Sequence, residues 1–265
     1  MSFAGFMDHG GLRLAAYGAG SSGPPLVFQH GLCGDARQIA EAMQGLGNQG
    51  WHGLECPGHG ASQMGPPSIA HFADAVAALI ETLPVPVVLG GISMGAAIAC
   101  RLAVTRPDLV RALVLVRPAW VTEYAPANMA PNAEVGTLLA QHPAAEARAI
   151  FTTSATAQRL AAESPDNLAS LMGFFDRAPQ PDTARLLTAI SADGPGITAD
   201  DLRALHLPTL ICGTTEDAIH PLAHAQALAT LIPQAWLVTL PPKGRDKPAH
   251  LAALTAAMTQ FLKEI

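Results

Sequence analysis

The chain has 265 residues, 49% of them hydrophobic and 14% charged, with a formal net charge of −6. That composition supports one sizeable buried core and argues against a disordered chain, and the mild negative charge with no basic stripe argues against a nucleic-acid partner. No apolar run reaches the length of a bilayer span, and the opening residues MSFAGFMDHGG carry neither a basic nor an apolar leader, so a cytoplasmic protein with no membrane partner is expected.

In chain order, β-rich runs are expected at Leu12–Tyr17, Leu26–Gln29, Trp51–Glu55, Val85–Gly90, Ala112–Val116, Thr209–Cys212 and Trp236–Leu240. Several are apolar throughout, as strands covered on both faces should be. Asp8-His9-Gly10-Gly11 offers turn chemistry for an opening antiparallel hairpin. Ile69, Phe72, Val76, Ile80 and Leu83 recur at helical spacing and predict a helix against the sheet. From Pro118 to Asp200 the β-like runs stop and broken helical patches follow, among them Leu171, Met172, Phe174 and Phe175. This alternation predicts an α/β protein with a mostly parallel central sheet. Its core would be residues 1–117 and 201–265, with a helical cap insertion over 118–200.

Val87-Val88-Leu89-Gly90-Gly91-Ile92-Ser93-Met94-Gly95-Ala96-Ala97 is an apolar strand running through G-x-S-x-G into an alanine-rich helix. Such a turn holds a serine hydroxyl clear of the sheet at a helix amino end, where the Met94 amide can face charge developing on a substrate oxygen. Ser93 is therefore the candidate nucleophile. Two glycine-rich turns also follow strands, His30-Gly31-Leu32-Cys33-Gly34 and Glu55-Cys56-Pro57-Gly58-His59-Gly60. Together the three segments resemble the α/β-hydrolase superfamily, especially its small esterase, lactonase and C–C hydrolase branch. The resemblance implies that the Leu32 amide joins Met94 in an oxyanion hole and that His30 is structural beneath its loop. His59 is expected to be a surface loop residue without a catalytic role. Glu55 stands where the family usually has Asp.

A serine needs an imidazole to take its proton and a carboxylate to orient that imidazole. In this fold the acid and then the histidine follow the serine in chain order. Thr209-Leu210-Ile211-Cys212-Gly213-Thr214-Thr215-Glu216-Asp217 resembles the family's acid loop and makes Asp217 the candidate acid. The family carries its histidine just after the last strand, where this chain reads Gly244-Arg245. Two candidates stand in its place. His250 is the one histidine after the last strand but sits within a helical pattern. His220 lies three residues past Asp217, just before a helix opened by Pro221.

Arg117 and Trp120, directly after a buried strand, are candidates for substrate contact, Arg117 as partner of a substrate carboxylate. Phe174, Phe175, Leu171 and Met172 are candidates for an apolar acyl pocket, with simple core as the blander assignment. Cys33, Cys56, Cys100 and Cys212 never pair as C-x-x-C and read as buried free thiols, so no metal and no cofactor is expected. The expected activity is hydrolysis of a small-molecule carboxylic ester or lactone through an acyl-enzyme on Ser93. The alternatives are a non-catalytic binding protein lacking a competent base, and a C–C bond hydrolase or perhydrolase using the same site.

Overall fold

Gly10 and Gly11 both have positive φ, at 56° and 78°, which only glycine adopts freely, and they close a two-residue turn between antiparallel strands. These strands are β1 (Ser2–His9) and β2 (Leu12–Ala19). The computed structural model describes residues 1–20, 22–84 and 86–265. Strands β3 (Ser22–Gln29), β4 (Gln49–Leu54), β5 (Val87–Ile92), β6 (Val110–Val116), β7 (Thr209–Thr214) and β8 (Ala235–Leu240) complete an eight-stranded sheet of order β1-β2-β4-β3-β5-β6-β7-β8. Every pairing from β4 to β8 is parallel. Val85, the expected start of the β5 run, lies outside the described residues.

The central strands are apolar on both faces because helices cover both. Val27, Leu89, Leu113, Leu115 and Ile211 pack on one side against α2 (Ile69–Ile80), α3 (Met94–Thr105) and α10 (Leu222–Leu231). Leu26, Phe28, Val88, Val114 and Leu210 pack on the other, against α1 (Ala36–Met43) and α11 (Lys247–Glu264). The period of two along each strand sends alternate residues to opposite cores. In α2, Ser68 caps the first turn by accepting from the His71 amide, and Phe72, Val76 and Ile80 are fully buried. Leu83, expected within this helix, instead follows it and packs on the same core.

Between β6 and β7 no strand occurs among the described residues. The segment holds α4 (Ala130–Gln141), α5 (Ala144–Thr152), α6 (Ala155–Glu163), α7 (Pro165–Gly173), α8 (Gln180–Ser191) and α9 (Ala199–Arg203). Helices α4 to α8 share a third apolar cluster around Val135, Leu160, Leu171, Phe175 and Leu187, with Phe151 and Phe175 rings 5.7 Å apart. No helix among the described residues is long and apolar enough to cross a membrane.

Candidate active site

Among the described residues five non-glycine positions have positive φ, and four of them, Cys33, Ser93, Arg117 and Glu216, follow the carboxyl ends of β3, β5, β6 and β7. Left-handed backbone at such residues costs on the order of 1–3 kcal/mol each, and it concentrates where side chains and amides must be aimed. All four loops meet one cavity of about 600 Å³, lined by Leu32, Cys33, Ser93, Arg117 and His220 among others.

Ser93 sits at φ 58° and ψ −112°, between β5 and the first residue of α3. The glycines around it are sterically required: a Cβ at Gly91 would collide with the Gly95 backbone, and one at Gly95 with the Gln29 carbonyl. The Ser93 amide donates to the Val116 carbonyl at 3.0 Å, tying the turn to β6. Its side chain makes no cap hydrogen bond and lines the cavity.

In the loop after β3, the Gly31 amide donates to Gln38 Oε1 (2.6 Å), the Cys33 amide to His59 Nε2 (3.0 Å) and the Gly34 amide to the Gly31 carbonyl (2.9 Å). The Leu32 amide between them, like the Met94 amide at the start of α3, has no acceptor among the described residues. Leu32 lines the cavity, and Met94 directly follows Ser93, which also lines it.

His59 is fully buried, not at the surface as expected. Its Nδ1–H donates to the Pro57 carbonyl (3.1 Å), which leaves Nε2 to accept from Cys33 and brace the loop. His30, also buried, donates from Nδ1 to the Gly31 carbonyl (2.8 Å) and accepts at Nε2 from the Cys56 amide (3.1 Å). Burial holds both imidazoles neutral, His30 with a pKa lowered to about 4. Glu55 accepts from the Ala36 (3.1 Å) and Ala61 (2.7 Å) amides and occupies the space a Cβ on Gly60 would need, so the longer acid still knits its turn together. Cys33 is half-buried against the cavity, whereas the other three thiols are buried.

After β7, the buried Asp217 carboxylate is the centre of a dense network. It faces His220 Nδ1 at 2.9 and 3.0 Å and accepts from the His220 amide (2.9 Å), Arg117 Nε (2.8 Å), Arg117 Nη2 (2.6 Å) and Asn167 Nδ2 (3.0 Å). Burial alone would push this carboxyl up, but His220 and Arg117 outweigh it and hold the group well below the usual carboxylate range. Arg117 Nη2 also lies 3.3 Å from His220 Nδ1. The two carboxylate oxygens are nearer, so they select the tautomer with the proton on Nδ1. Burial chiefly, opposed by Asp217 and helped by Arg117, lowers the His220 pKa and leaves a neutral ring at physiological pH.

The sequence candidates divide accordingly. Ser93, Leu32, Arg117 and His220 line the cavity, and Asp217 stands behind His220. His250 is buried in α11 with Leu254, Met258 and Phe261, and its Nδ1–H is taken by the Pro241 carbonyl at 2.8 Å; it is not among the lining residues. Trp120 is likewise absent from the lining: it is core, donating from Nε1 to the Asp193 carbonyl at 3.0 Å. Arg117 is at the cavity, with its Nε and Nη2 engaged by Asp217. Of the acyl-pocket candidates, Leu171 and Phe174 line the cavity, whereas Phe175 and Met172 pack with the helical segment's own cluster and are not among the lining residues.

Sequence reasoning passed over Asn167 and Lys243. Asn167, in α7, donates to Asp217 and accepts from the Ala218 and Ile219 amides at 2.7 and 3.2 Å, clamping the loop after β7. Lys243, from the loop after β8, lines the cavity and pairs with Asp166 at 3.3 Å. Neither belongs to a local motif; only the tertiary fold brings them in.

A family model described as alpha/beta hydrolase fold matches residues 24–246. The chain is 30% identical over 228 residues, 82% of its length and 85% of the other, to the protein named "Putative carbamate hydrolase RutD" of Pseudomonas syringae pv. syringae. It is 28% identical over 226 residues, 83% and 86% of the two lengths, to a pimeloyl acyl-carrier-protein methyl ester esterase of Chromobacterium violaceum. Among solved structures, an α/β-hydrolase enzyme from a Medee basin deep-sea metagenome library superposes with a TM-score of 0.77 over 98% of each chain at 17% identity. With its sheet, its serine turn and these relatives together, the chain belongs to the α/β-hydrolase fold family and is a hydrolase.

Proposed function

We propose that the protein cleaves a carboxylic ester or lactone through an acyl-enzyme on Ser93, with His220 as base, Asp217 as its orienting acid and the Leu32 and Met94 amides as oxyanion donors. The observation that carries this reading is His220 Nδ1 at 2.9 and 3.0 Å from the two Asp217 carboxylate oxygens, with His220 and Ser93 lining the same cavity. In the first half-reaction His220 Nε2 takes the Ser93 hydroxyl proton as Oγ bonds to the carbonyl carbon. The carbonyl oxygen takes the negative charge and the two open amides stabilise it. Collapse of the intermediate expels the alcohol, which receives the proton from His220. In the second half water attacks the acyl carbon, again losing its proton to His220, and Ser93 leaves with that proton as the acid is released.

The two relatives named for carbamate and methyl ester hydrolysis support a carbonyl carbon bearing a heteroatom leaving group over a C–C bond. The test uses short p-nitrophenyl esters: Ser93→Ala should lower kcat by roughly 10⁴–10⁶-fold. Full activity in that variant would overturn the nucleophile assignment. A fluorophosphonate probe should label wild-type Ser93; a fully folded protein that stays unlabelled would favour a binding role without catalysis.

A further inference from the structure

The charges around the cavity balance except at one residue. Arg117 is paired with Asp217, Lys243 with Asp166, Arg37 with Asp35, and Asp176 with Arg148. Arg177, which follows the short helical turn Phe174–Asp176 and lines the cavity beside the Leu32 loop, has no carboxylate partner among the described residues. Its guanidinium is nonetheless fixed, Nη1 donating to Thr183 Oγ1 at 2.9 Å and Nη2 to the Gly58 carbonyl at 2.7 Å. A guanidinium has five N–H donors, so three remain open, on a group that is rigidly placed and cannot lose its charge.

A second orphan lines the same cavity. Asn132 in α4 is only 5% exposed, and its Oδ1 finds no hydrogen-bond partner. A buried polar atom left unpaired costs free energy in the empty protein, which is tolerable where a ligand supplies the partner.

We infer that the substrate is an anionic ester or lactone, its carboxylate or equivalent oxyanion held by Arg177 and a hydrogen-bond donor elsewhere on it by Asn132 Oδ1. This rests on the proposed ester-hydrolysing site and names the substrate class for it. A neutral acyl chain would leave the guanidinium edge unsatisfied, whereas the Asn132 oxygen, an acceptor, calls for a donor on the substrate whatever its charge. An anion satisfies the open guanidinium edge with charge-assisted hydrogen bonds.

The test compares matched esters, each rate normalised to its uncatalysed hydrolysis. One arm carries the anion on the acyl side (mono-p-nitrophenyl glutarate against p-nitrophenyl pentanoate), the other on the alcohol side (4-carboxyphenyl acetate against phenyl acetate). Wild-type kcat/KM should favour the anion at least about tenfold in one arm. Arg177→Gln should cut that anionic-to-neutral ratio about 10–100-fold, and Arg177→Lys should keep most of it. No preference in either arm, or a ratio that Arg177→Gln leaves unmoved, would overturn the assignment. Should Arg177→Gln fail to fold, the wild-type ratio and the Lys variant decide. Calorimetric titration of glutarate into the Ser93→Ala protein separates this inference from the catalytic one. Binding there that Arg177→Lys retains supports the anion site even if no ester is turned over, and no binding counts against it even if neutral esters are. Asn132→Leu should raise the thermal midpoint by removing an unpaired buried oxygen; a fall would mark Asn132 as a structural residue and remove it from the substrate site.

Discussion

The loops after β7 and β8 lie side by side, since those strands pair from Thr209↔Ala235 to Thr214↔Leu240, yet they carry different chemistry. The β7 loop supplies both an acid and an imidazole, Asp217 and His220, within three residues of each other. The β8 loop, where relatives in this superfamily keep their histidine, supplies Lys243, and the nearest histidine, His250, is turned to the Pro241 carbonyl. Neighbouring strand ends open onto one cavity, so a function can be filled from either loop provided the acid can reach it. What matters is the constellation at the carboxyl edge of the sheet, not the position in the chain.

That contrast can be broken at several points. The largest effect is expected from Asp217→Asn, which keeps the shape of the side chain but removes the charge that selects the Nδ1–H tautomer; kcat for p-nitrophenyl esters should fall roughly 10³–10⁴-fold. Asp217→Ala should in addition lower stability by about 3–5 kcal/mol in urea melts, because Arg117 would be left buried without its partner. Asn167→Leu should come next, with about a tenfold loss in kcat. It frees the loop after β7 by deleting one bond to Asp217 and two from the loop amides.

The smallest and most specific effect is on pH dependence. The base must be unprotonated, and the His220 pKa is lowered, so the acid limb of kcat/KM should lie below pH 6.5 with a plateau through neutrality. Arg117 is one of the groups that lowers it, and Arg117→Met should therefore move the acid limb to higher pH. A limb that moved down, or stayed in place, would separate Arg117 from His220 electrostatically and leave it only a packing role.

The same contrast explains what the sequence could disclose. The Ser93 turn was legible because everything it needs is local: an apolar strand, glycines at Gly91 and Gly95 whose hydrogens admit the crossing backbone, and a helix start. The sheet was legible because Val27 and Phe28, or Leu113 and Val114, face opposite cores and so read as continuous apolar runs. The choice between His220 and His250 was not, since it depends on which ring meets the cavity, and that is decided by how α11 packs. His59 was misjudged for the reverse reason. A Pro-Gly-His-Gly turn has the composition of a surface loop, but this one is roofed by the inserted helices, from which Arg177 reaches the Gly58 carbonyl. Asn132, Asn167 and Arg177 carry no local signature, because Asn167 and Arg177 reach Asp217 and Gly58, 50 and 119 residues away, and Asn132 lines the cavity.

The proposed base is His220, and the rate at which a fluorophosphonate labels Ser93 in His220→Ala and His250→Ala proteins tests it without reference to any substrate. Labelling should slow by about 10³-fold or more when His220 is replaced and by less than about tenfold when His250 is replaced. The reverse order, with His220→Ala labelling at the wild-type rate, would contradict the assignment of the base.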